Sequence, residues 1–386
     1  MRLSHLPWAV LGGAIHVTCL GISPFMDKKS AAITGIVLLA LGALVYFQFR
    51  TWKNFDWDLF LKQTHGVSKF HILHGVALIY IGYVLRAVRW KIFLQPVRPR
   101  TTIASLISPT IIGFTGLALL GRPGELIRPY LIAKQEKLPF SSQLAVWAIE
   151  RIFDVGGFTF LFVLAAFFAR APRRLEEVAF FQKAAGALVL LVIGLTIGAI
   201  VVHRSGEALA AWMERRFSHH GTHIAHRFAL RIREFRGGLN TIQNKKSFFL
   251  LIAVSVLMWA MIAVAYKEVT YAYGYACNEA APTDVCKLRI PQTQVFLLMA
   301  SSMVGSMVQL PGVGGGSQFA TIEALNHIFG VPPELATSCG IMLWLVTFVA
   351  VIPLGLLLAH RERLSLRKLS ESAHAEEAAT SDSSAA

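Results

Sequence analysis

Residues 120–130 read LGRPGELIRPY, and further along the chain residues 150–154 read ERIFD. Both stretches place charged side chains inside or beside long apolar runs of a chain that is 55% hydrophobic. A charge is costly in hydrocarbon, so it is kept there only when it is paired, faces a wet cavity or serves a function. The two stretches therefore predict the working site of a membrane protein.

Apolar blocks fill most of the remaining chain, whose mean hydropathy is +0.55. Blocks of roughly 20 apolar residues are long enough to cross a bilayer, and lipid leaves the backbone no water partner, so they are helices. The predicted spans are 31–49, 70–94, 144–169, 184–202, 247–271 and 335–359. Two further runs, 101–121 and 290–322, are predicted to be broken re-entrant hairpins. This is an all-α polytopic integral membrane protein with about six spanning helices, two broken hairpins and the plan of an inverted repeat.

The positive-inside rule explains the net charge of +15 better than nucleic-acid binding does. Residues 86–100, 203–246 and 361–368 are rich in Lys and Arg, whereas 275–291 is nearly balanced. With the basic stretches inside, the sequence predicts a multi-pass protein of a bacterial-type inner cell membrane with a cytoplasmic C-terminus. The loop 50–69, which this path places outside, holds four basic residues and argues against the path.

Cys277 and Cys286 share the loop that this path places outside. An oxidising compartment would let them form a disulfide, and two free thiols are the alternative. The other two cysteines lie in apolar runs, where a cysteine packs as a small hydrophobic residue.

The chain divides into three parts. Residues 1–25 are an N-terminal extension, which is an early start before Met26, a signal peptide or a short extra helix. Residues 26–369 form one membrane domain, whose basic segment 203–246 has aromatic residues among arginines, as on an anionic leaflet. Its histidines flank a helix-breaking glycine and lack acidic neighbours, so no metal site is predicted. The tail 370–386 is predicted to be disordered.

The first charged constellation follows a break in the helix pattern. Pro123 and Gly124 interrupt the helix beside Arg122, Glu125 and Arg128. In transporters, unwound helices build sites for charged groups near the bilayer centre, and arginine grips phosphate through two parallel hydrogen bonds. The alternative is an ordinary cytoplasmic loop.

The second constellation lies within a helix. Glu150 and Asp154 are four residues apart and share one helix face, next to Arg151. These carboxylates can neutralise the arginines of the first constellation or face a lipid headgroup. An internal salt-bridge network that fixes helix packing is the alternative, and the two interpretations are compatible.

The third constellation, QLPGVGGGSQ at residues 309–318, repeats the plan of the first: a Pro-Gly break in an apolar run, followed by a carboxylate at Glu323. It lacks the lysine of a nucleotide loop, so no NTP site and no cofactor are predicted. We predict that the breaks at Pro123, Gly124, Pro311, Gly312 and Gly314 gate the site from opposite faces.

Four motifs together resemble the flippase-like family, also called the lysylphosphatidylglycerol synthase transmembrane region, over about residues 30–360. They are Arg86-x-x-Arg89-Trp90, Gly124-Glu125-x-x-Arg128-Pro129, Glu150-Arg151-x-x-Asp154 and Pro311-Gly-x-Gly before Glu323. The resemblance implies a lipid-translocating domain, as in one half of the bacterial multiple peptide resistance factor. We do not expect the synthase activity to carry over, because the sequence is expected to lack the soluble aminoacyl-transferase domain after the last helix.

The sequence thus favours a lipid flippase over an enzyme. Its predicted cargo is a phospholipid or a polyprenyl-phosphate-linked lipid. The predicted headgroup site consists of Arg86, Arg89, Arg122, Glu125, Arg128, Glu150, Arg151 and Asp154. The alternatives are a membrane aminoacyl- or glycosyl-transferase acting on a lipid carrier, and a scaffold for a separate lipid-modifying enzyme. Membrane lipids are the expected partners, and no nucleic acid is expected.

Overall fold

The computed structural model describes residues 56–168, 175–216, 244–275, 277, 283–306 and 315–362. Several predictions lie outside these residues: the span 31–49, the extension 1–25 with Met26, the tail 370–386 and three of the gating residues, Pro311, Gly312 and Gly314. The described helices belong to one compact unit that begins at Trp57.

All regular structure among the described residues is helical, which confirms the predicted fold class. The helices are α1 (Trp57–His65), α2 (Lys69–Leu94), α3 (Ile103–Leu120), α4 (Ile127–Glu136), α5 (Phe140–Phe168), α6 (Leu175–Arg216), α7 (Lys245–Gly274), α8 (Gln292–Gly305), α9 (Gly316–Glu323), α10 (Pro333–Trp344) and α11 (Ile352–Arg361). In this part of the chain, five stretches are long and apolar enough to cross a membrane: α2, α3, α7, Gln182–Val201 within α6, and Pro333–Arg361.

Helices α2 and α7 form an antiparallel pair at the centre of the unit. At one end, His71 Nδ1 lies 2.6 Å from Glu268 Oε2. In the middle, Gly75 lets α2 approach Ala265 and Val269 of α7 within van der Waals distance. At the other end, Arg89 donates to the Ser255 hydroxyl over 3.0 Å. The pair therefore fixes the position of Arg89 within the bundle.

The first hairpin differs from its prediction in where it turns. Residues 101–121 were expected to enter and return, but α3 runs unbroken through Pro109 to Leu120. Proline removes the N–H that would bond to the carbonyl of Ser105, and the Gln135 side chain donates to that carbonyl instead, over 3.1 Å. The prediction of a turn within 101–121 is therefore wrong, and α4 is the returning arm.

Glycines form the turn between α3 and α4. Gly121 has a φ of 70° and ends α3, and the 3-10 turn Arg122–Leu126 follows. A Cβ at Gly124 would collide with the carbonyl of Gly116, and one at Gly113 would collide with Arg128. The absence of side chains at these positions lets α4 lie directly on α3, and this contact sets the depth of Arg128.

Replacement of Gly124 by alanine is expected to lower stability, because the added methyl group has to displace the backbone of α3. Overpacking of this kind costs about 1–3 kcal/mol. The matched control is Gly186→Ala, because a Cβ at Gly186 on α6 meets nothing within 4 Å. Thermal unfolding in detergent should show a lower Tm for Gly124→Ala and an unchanged or higher Tm for the control. Equal Tm values would contradict the tight turn.

Helices α8 and α9 form the second hairpin. A Cβ on Gly305, the last residue of α8, would overlap the carbonyl of Gly316 and the side chain of Ala320. The two arms therefore approach as closely as α3 and the following 3-10 turn do at Gly116 and Gly124. The shared device, a glycine-to-backbone contact beside a break, agrees with the similar plan of the two sequence segments.

Three other features differ from the sequence-based expectation. Helix α1 lies within the predicted loop 50–69, and its Thr64 hydroxyl lies 2.8 Å from that of Ser338 on α10. Helix α6 continues past the predicted end at residue 202 to Arg216. The last span is interrupted, because the π-helical turn Leu345–Val349 separates α10 from α11, where Pro353 lies in the first turn.

The structure joins Cys277 and Cys286 by a disulfide. The bond closes the connection between α7 and α8, where the 3-10 turn Asp284–Leu288 leads into α8. Arg289 fastens the same connection, because its Nε donates to the carbonyl of Gly274 over 2.9 Å.

Candidate functional site

Charged side chains from three helices meet inside the bundle. Arg86 and Arg89 are three residues apart on α2, and Glu150 and Asp154 are four apart on α5, so each pair shares a helix face. Arg128 enters from the first turn of α4. Arg86 lies eight residues before the end of α2, roughly 12 Å along the helix axis, so the charges are deep in the bundle.

Glu150 is the centre of this cluster and is fully buried. Its Oε1 accepts from Arg89 Nη2 at 2.7 Å, and both of its oxygens lie 3.0 Å from Arg128 Nη1. Arg151 Nη2 lies 3.5 Å from Oε2. Both carboxylate oxygens are thus occupied by guanidinium groups from three different helical positions.

Asp154 holds the neighbouring position one turn along α5. Its Oδ1 lies 2.7 Å from Arg89 Nη2, and its Oδ2 lies 3.0 Å from Arg151 Nη2. Arg86 Nη1 reaches Oδ2 over a longer distance of 3.5 Å. Among these three arginines, Arg86 therefore has the weakest hold on a carboxylate.

Aromatic rings cover the flat faces of the arginines. Arg128 lies 4.3 Å above the Trp90 ring, and Arg86 lies 4.7 Å from the centre of Phe114. The Trp90 indole N–H donates to Gln143 over 3.2 Å, which fixes its plane. Stacking of this kind stabilises a desolvated guanidinium and leaves its N–H edge for hydrogen bonds.

Four arginines share two carboxylates in this inner cluster, which we define as Arg86, Arg89, Arg128, Glu150, Arg151 and Asp154. Within the described part of the chain, no further acidic side chain pairs with it except Glu125, which lies 3.9 Å from Arg151 and 2.8 Å from Arg122. The inner cluster therefore carries two positive charges in excess. Uncompensated charge at this depth favours an anion in contact with the cluster.

The cluster opens towards solvent through a gradient of exposure. Arg89 and Glu150 are fully buried, the Arg151 side chain is 35% exposed and that of Arg122 is 49% exposed. Arg122 forms the outer end, where its Nη2 donates to the carbonyl of Ser306 over 2.7 Å. The turn of the first hairpin thus contacts the end of α8 in the second.

A cavity of about 150 Å³ lies between the two hairpins. Arg86 contributes to its wall, together with the hydroxyl-bearing side chains of Tyr83, Ser302 and Thr347. Apolar side chains form most of the remaining wall, from α2, α3, α7, α8 and the π-helical turn. The cavity lining therefore combines one charged side chain, several hydroxyl-bearing side chains and a larger apolar part, as an amphipathic molecule such as a lipid would require.

The structure brings all eight predicted headgroup residues into one connected network, with Arg122 and Glu125 at its outer end. Sequence reasoning missed Phe114, Ser255, Ser306 and Gln143, which orient or cover the arginines. No sequence signal marks them, because they are common residues in apolar helices. Among the described residues, no group of three metal-ligating side chains is arranged to hold an ion.

The sequence matches the family model described as lysylphosphatidylglycerol synthase TM region over residues 33–355. The chain belongs to this family. The match contains the whole charged network and both hairpins, so the network is part of the family's domain in this chain. The protein is accordingly a multi-pass membrane protein.

Named relatives agree with this assignment. Two are UPF0104 membrane proteins of Methanothermobacter thermautotrophicus. One is 22% identical over 294 residues, 74% of this chain and 83% of the relative, and the other is 26% identical over 289 residues, 72% and 79% respectively. The chain is also 22% identical over 143 residues to the glycosyltransferase AglD of Haloferax volcanii, a match of 35% of this chain and 21% of that protein. No solved structure matches the chain.

Proposed function

We propose that the protein moves an anionic membrane lipid between leaflets by passing its phosphate through the inner cluster. A bare headgroup in hydrocarbon lacks hydrogen bonds and counter-charge, which makes unassisted crossing slow. The observation that carries the proposal is the buried excess of two positive charges beside a cavity with an apolar lining. The acyl or prenyl chains stay in lipid and in the apolar part of this cavity.

The members of the network have different roles in this proposal. Arg89 and Arg128 are buried and both pair with the buried Glu150. These three residues therefore hold α2, α4 and α5 together and set the local charge. Arg151 and Arg122 are partly exposed and receive the headgroup first. Arg86 combines a weak carboxylate contact with a place in the cavity wall, so it binds the phosphate at depth.

The two hairpins are the proposed moving parts. The Arg122 side chain bridges them, because it holds Glu125 of its own hairpin at 2.8 Å and the Ser306 carbonyl of the other at 2.7 Å. Ser306 also lines the cavity. A headgroup that binds Arg122 competes with these two contacts, and this competition separates the hairpins and opens the cavity.

The geometry supports transport over transferase chemistry. A transferase that acts on a lipid carrier would use Glu150 or Asp154 as a base. Both oxygens of Glu150 lie 3.0 Å from Arg128 Nη1, and Oε1 also accepts from Arg89. Asp154 Oδ1 lies 2.7 Å from Arg89, and its Oδ2 lies 3.0 Å from Arg151. Arginines therefore surround both carboxylates, which favours a role in setting the charge of the site over a role as a general base.

We also propose that the disulfide loop faces the oxidising side of the membrane and that the C-terminus is cytoplasmic. In sealed spheroplasts, a membrane-impermeant maleimide should label Cys277 and Cys286 only after an impermeant reductant is added. Cys339, which is buried, serves as the internal control and should stay unlabelled. Labelling of the pair only in inverted vesicles would reverse the proposed orientation.

Lipid movement by the purified protein tests the proposal. Proteoliposomes with a fluorescent anionic phospholipid should lose the inner-leaflet signal to external dithionite faster than protein-free vesicles do. The variant Arg100→Gln is the control for arginine content, because Arg100 is exposed outside the network and should leave the rate unchanged. Equal rates with and without protein, at verified reconstitution, would contradict lipid translocation.

A further inference from the structure

The net charge of the inner cluster can be compared with the charges of different lipid phosphates. Arg86, Arg89, Arg128 and Arg151 lie within 3.5 Å of the same two carboxylates. Glu125, 3.9 Å from Arg151, is balanced by Arg122, so two positive charges remain in excess among the described residues. A phosphodiester headgroup contributes one negative charge. A phosphate monoester carries about 1.5 to 2 negative charges at pH 7 and offers three strong acceptor oxygens.

We infer that the site takes a lipid whose headgroup is a phosphate monoester, in preference to a phosphodiester lipid. This inference rests on the proposed function and specifies its cargo. A dianion cancels the excess completely, whereas a diester leaves one buried positive charge without a partner. An unpaired charge costs more free energy in a buried, low-dielectric site than in water. The difference in binding free energy between the two headgroups should therefore be larger here than at an exposed site.

The hydrogen-bond donors of the cluster support a ligand with several acceptors. Three donors of the cluster, the Nε atoms of Arg89, Arg128 and Arg151, are buried and have no hydrogen-bond partner among the described residues. One acceptor, Asp154 Oδ1, also lacks a hydrogen bond, although it lies 2.7 Å from Arg89 Nη2, so unpartnered donors outnumber unpartnered acceptors. Arg89 and Arg128 are themselves more than nine-tenths buried. Among the described residues, the Arg86 guanidinium has one long carboxylate contact, of 3.5 Å, besides the Phe114 ring under its face. This surplus of donors fits three phosphate oxygens better than the two free oxygens of a diester.

The cavity beside Arg86 supports a lipid over a free phosphate. Ser302 and Thr347 line the cavity together with Arg86, and its apolar lining includes Ile79, Met299 and Met303. A small hydrophilic anion gains nothing from that apolar lining. A phosphate esterified to a hydrocarbon chain contacts both parts of the lining, with its phosphate at Arg86 and the start of its chain against the methionines.

The test compares fluorescent phosphatidate, a monoester, with fluorescent phosphatidylglycerol, a diester, in proteoliposomes of the full chain. At pH 8 phosphatidate should move at least about tenfold faster than phosphatidylglycerol, after subtraction of protein-free rates. The second ionisation of a phosphate monoester lies near pH 6. At pH 5.5 phosphatidate should therefore move at about the same rate as phosphatidylglycerol. Arg86→Gln, which removes one charge of the excess, should reduce the advantage at pH 8, and Arg100→Gln should not.

The possible outcomes separate the monoester preference from lipid translocation itself. Equal rates for the two lipids, both above protein-free vesicles, would overturn the monoester inference and leave lipid translocation intact. The absence of protein-dependent movement for either lipid would overturn both. Uptake of radiolabelled inorganic phosphate by the same vesicles, with neither lipid moving, would assign the site to free phosphate. A pH-independent phosphatidate advantage would assign the preference to headgroup size and contradict charge matching.

Discussion

Replacement of Glu150 by alanine should destabilise the protein more than any other single change in the network. It leaves Arg86, Arg89, Arg128 and Arg151 with Asp154 as their only inner carboxylate. Removing one partner of a buried ion pair typically costs about 3–5 kcal/mol, because the remaining charge stays buried without compensation. The expected result is a large fall in Tm in detergent, or the loss of monodisperse protein.

Two companion variants show whether charge causes this loss. Asp58→Ala removes an exposed carboxylate from α1 and should change stability by less than about 0.5 kcal/mol. Adding Arg128→Gln to Glu150→Gln restores the original excess of charge, so the double variant should be more stable than the two single effects predict. Strictly additive effects would show that the Glu150–Arg128 contact, at 3.0 Å, contributes no coupling.

Replacement of Arg86 by glutamine should have the opposite profile, with transport lost and stability kept. Arg86 has only one carboxylate contact, at 3.5 Å, and it belongs to a cluster that already has surplus positive charge. Its removal reduces repulsion among the arginines, so Tm should stay within a few degrees of the parent protein. The loss of a charge-assisted hydrogen bond to phosphate, about 1.5–3 kcal/mol, corresponds to at least a tenfold lower rate.

The dithionite assay on proteoliposomes measures this effect, with equal protein incorporation checked for each variant. Arg86→Lys keeps the charge but loses the planar two-donor edge, so its rate should lie between those of the parent and Arg86→Gln. Parent-like transport by Arg86→Gln would remove this residue from the pathway. A collapse of both Tm and transport would instead assign Arg86 to the structural part of the network.

The charged network was predictable because charge within an apolar run is a signal that a linear sequence shows directly. Glu150 and Asp154 gave a shared helix face from their spacing alone, and the breaks at Pro123 and Gly124 marked the turn that carries Arg122. What the sequence did not show is the pairing. The contacts of Arg89 with Ser255 and of Arg122 with Ser306 join residues more than 150 positions apart, and no local pattern specifies such partners.

The wrong predictions of helix ends and turns also have specific causes. The turn predicted within 101–121 is absent because α3 continues through Pro109, where the Gln135 side chain donates to the carbonyl of Ser105. The change from apolar to basic composition near residue 202 predicts a helix end there, but α6 continues to Arg216. Composition reports the surroundings of a segment, whereas helix ends depend on caps and backbone hydrogen bonds.

The most direct measurement is a cryo-electron-microscopy structure of the full chain in nanodiscs that contain phosphatidate. We expect phosphate density next to Arg86 in the cavity, with oxygens at about 2.7–2.9 Å from guanidinium nitrogens, as in charge-assisted pairs. We also expect that the contact between Arg122 and Ser306 is loosened in that state. Lipid density confined to the outer faces of the helices, with an unchanged inner cluster at saturating phosphatidate, would contradict entry of the headgroup into the buried site.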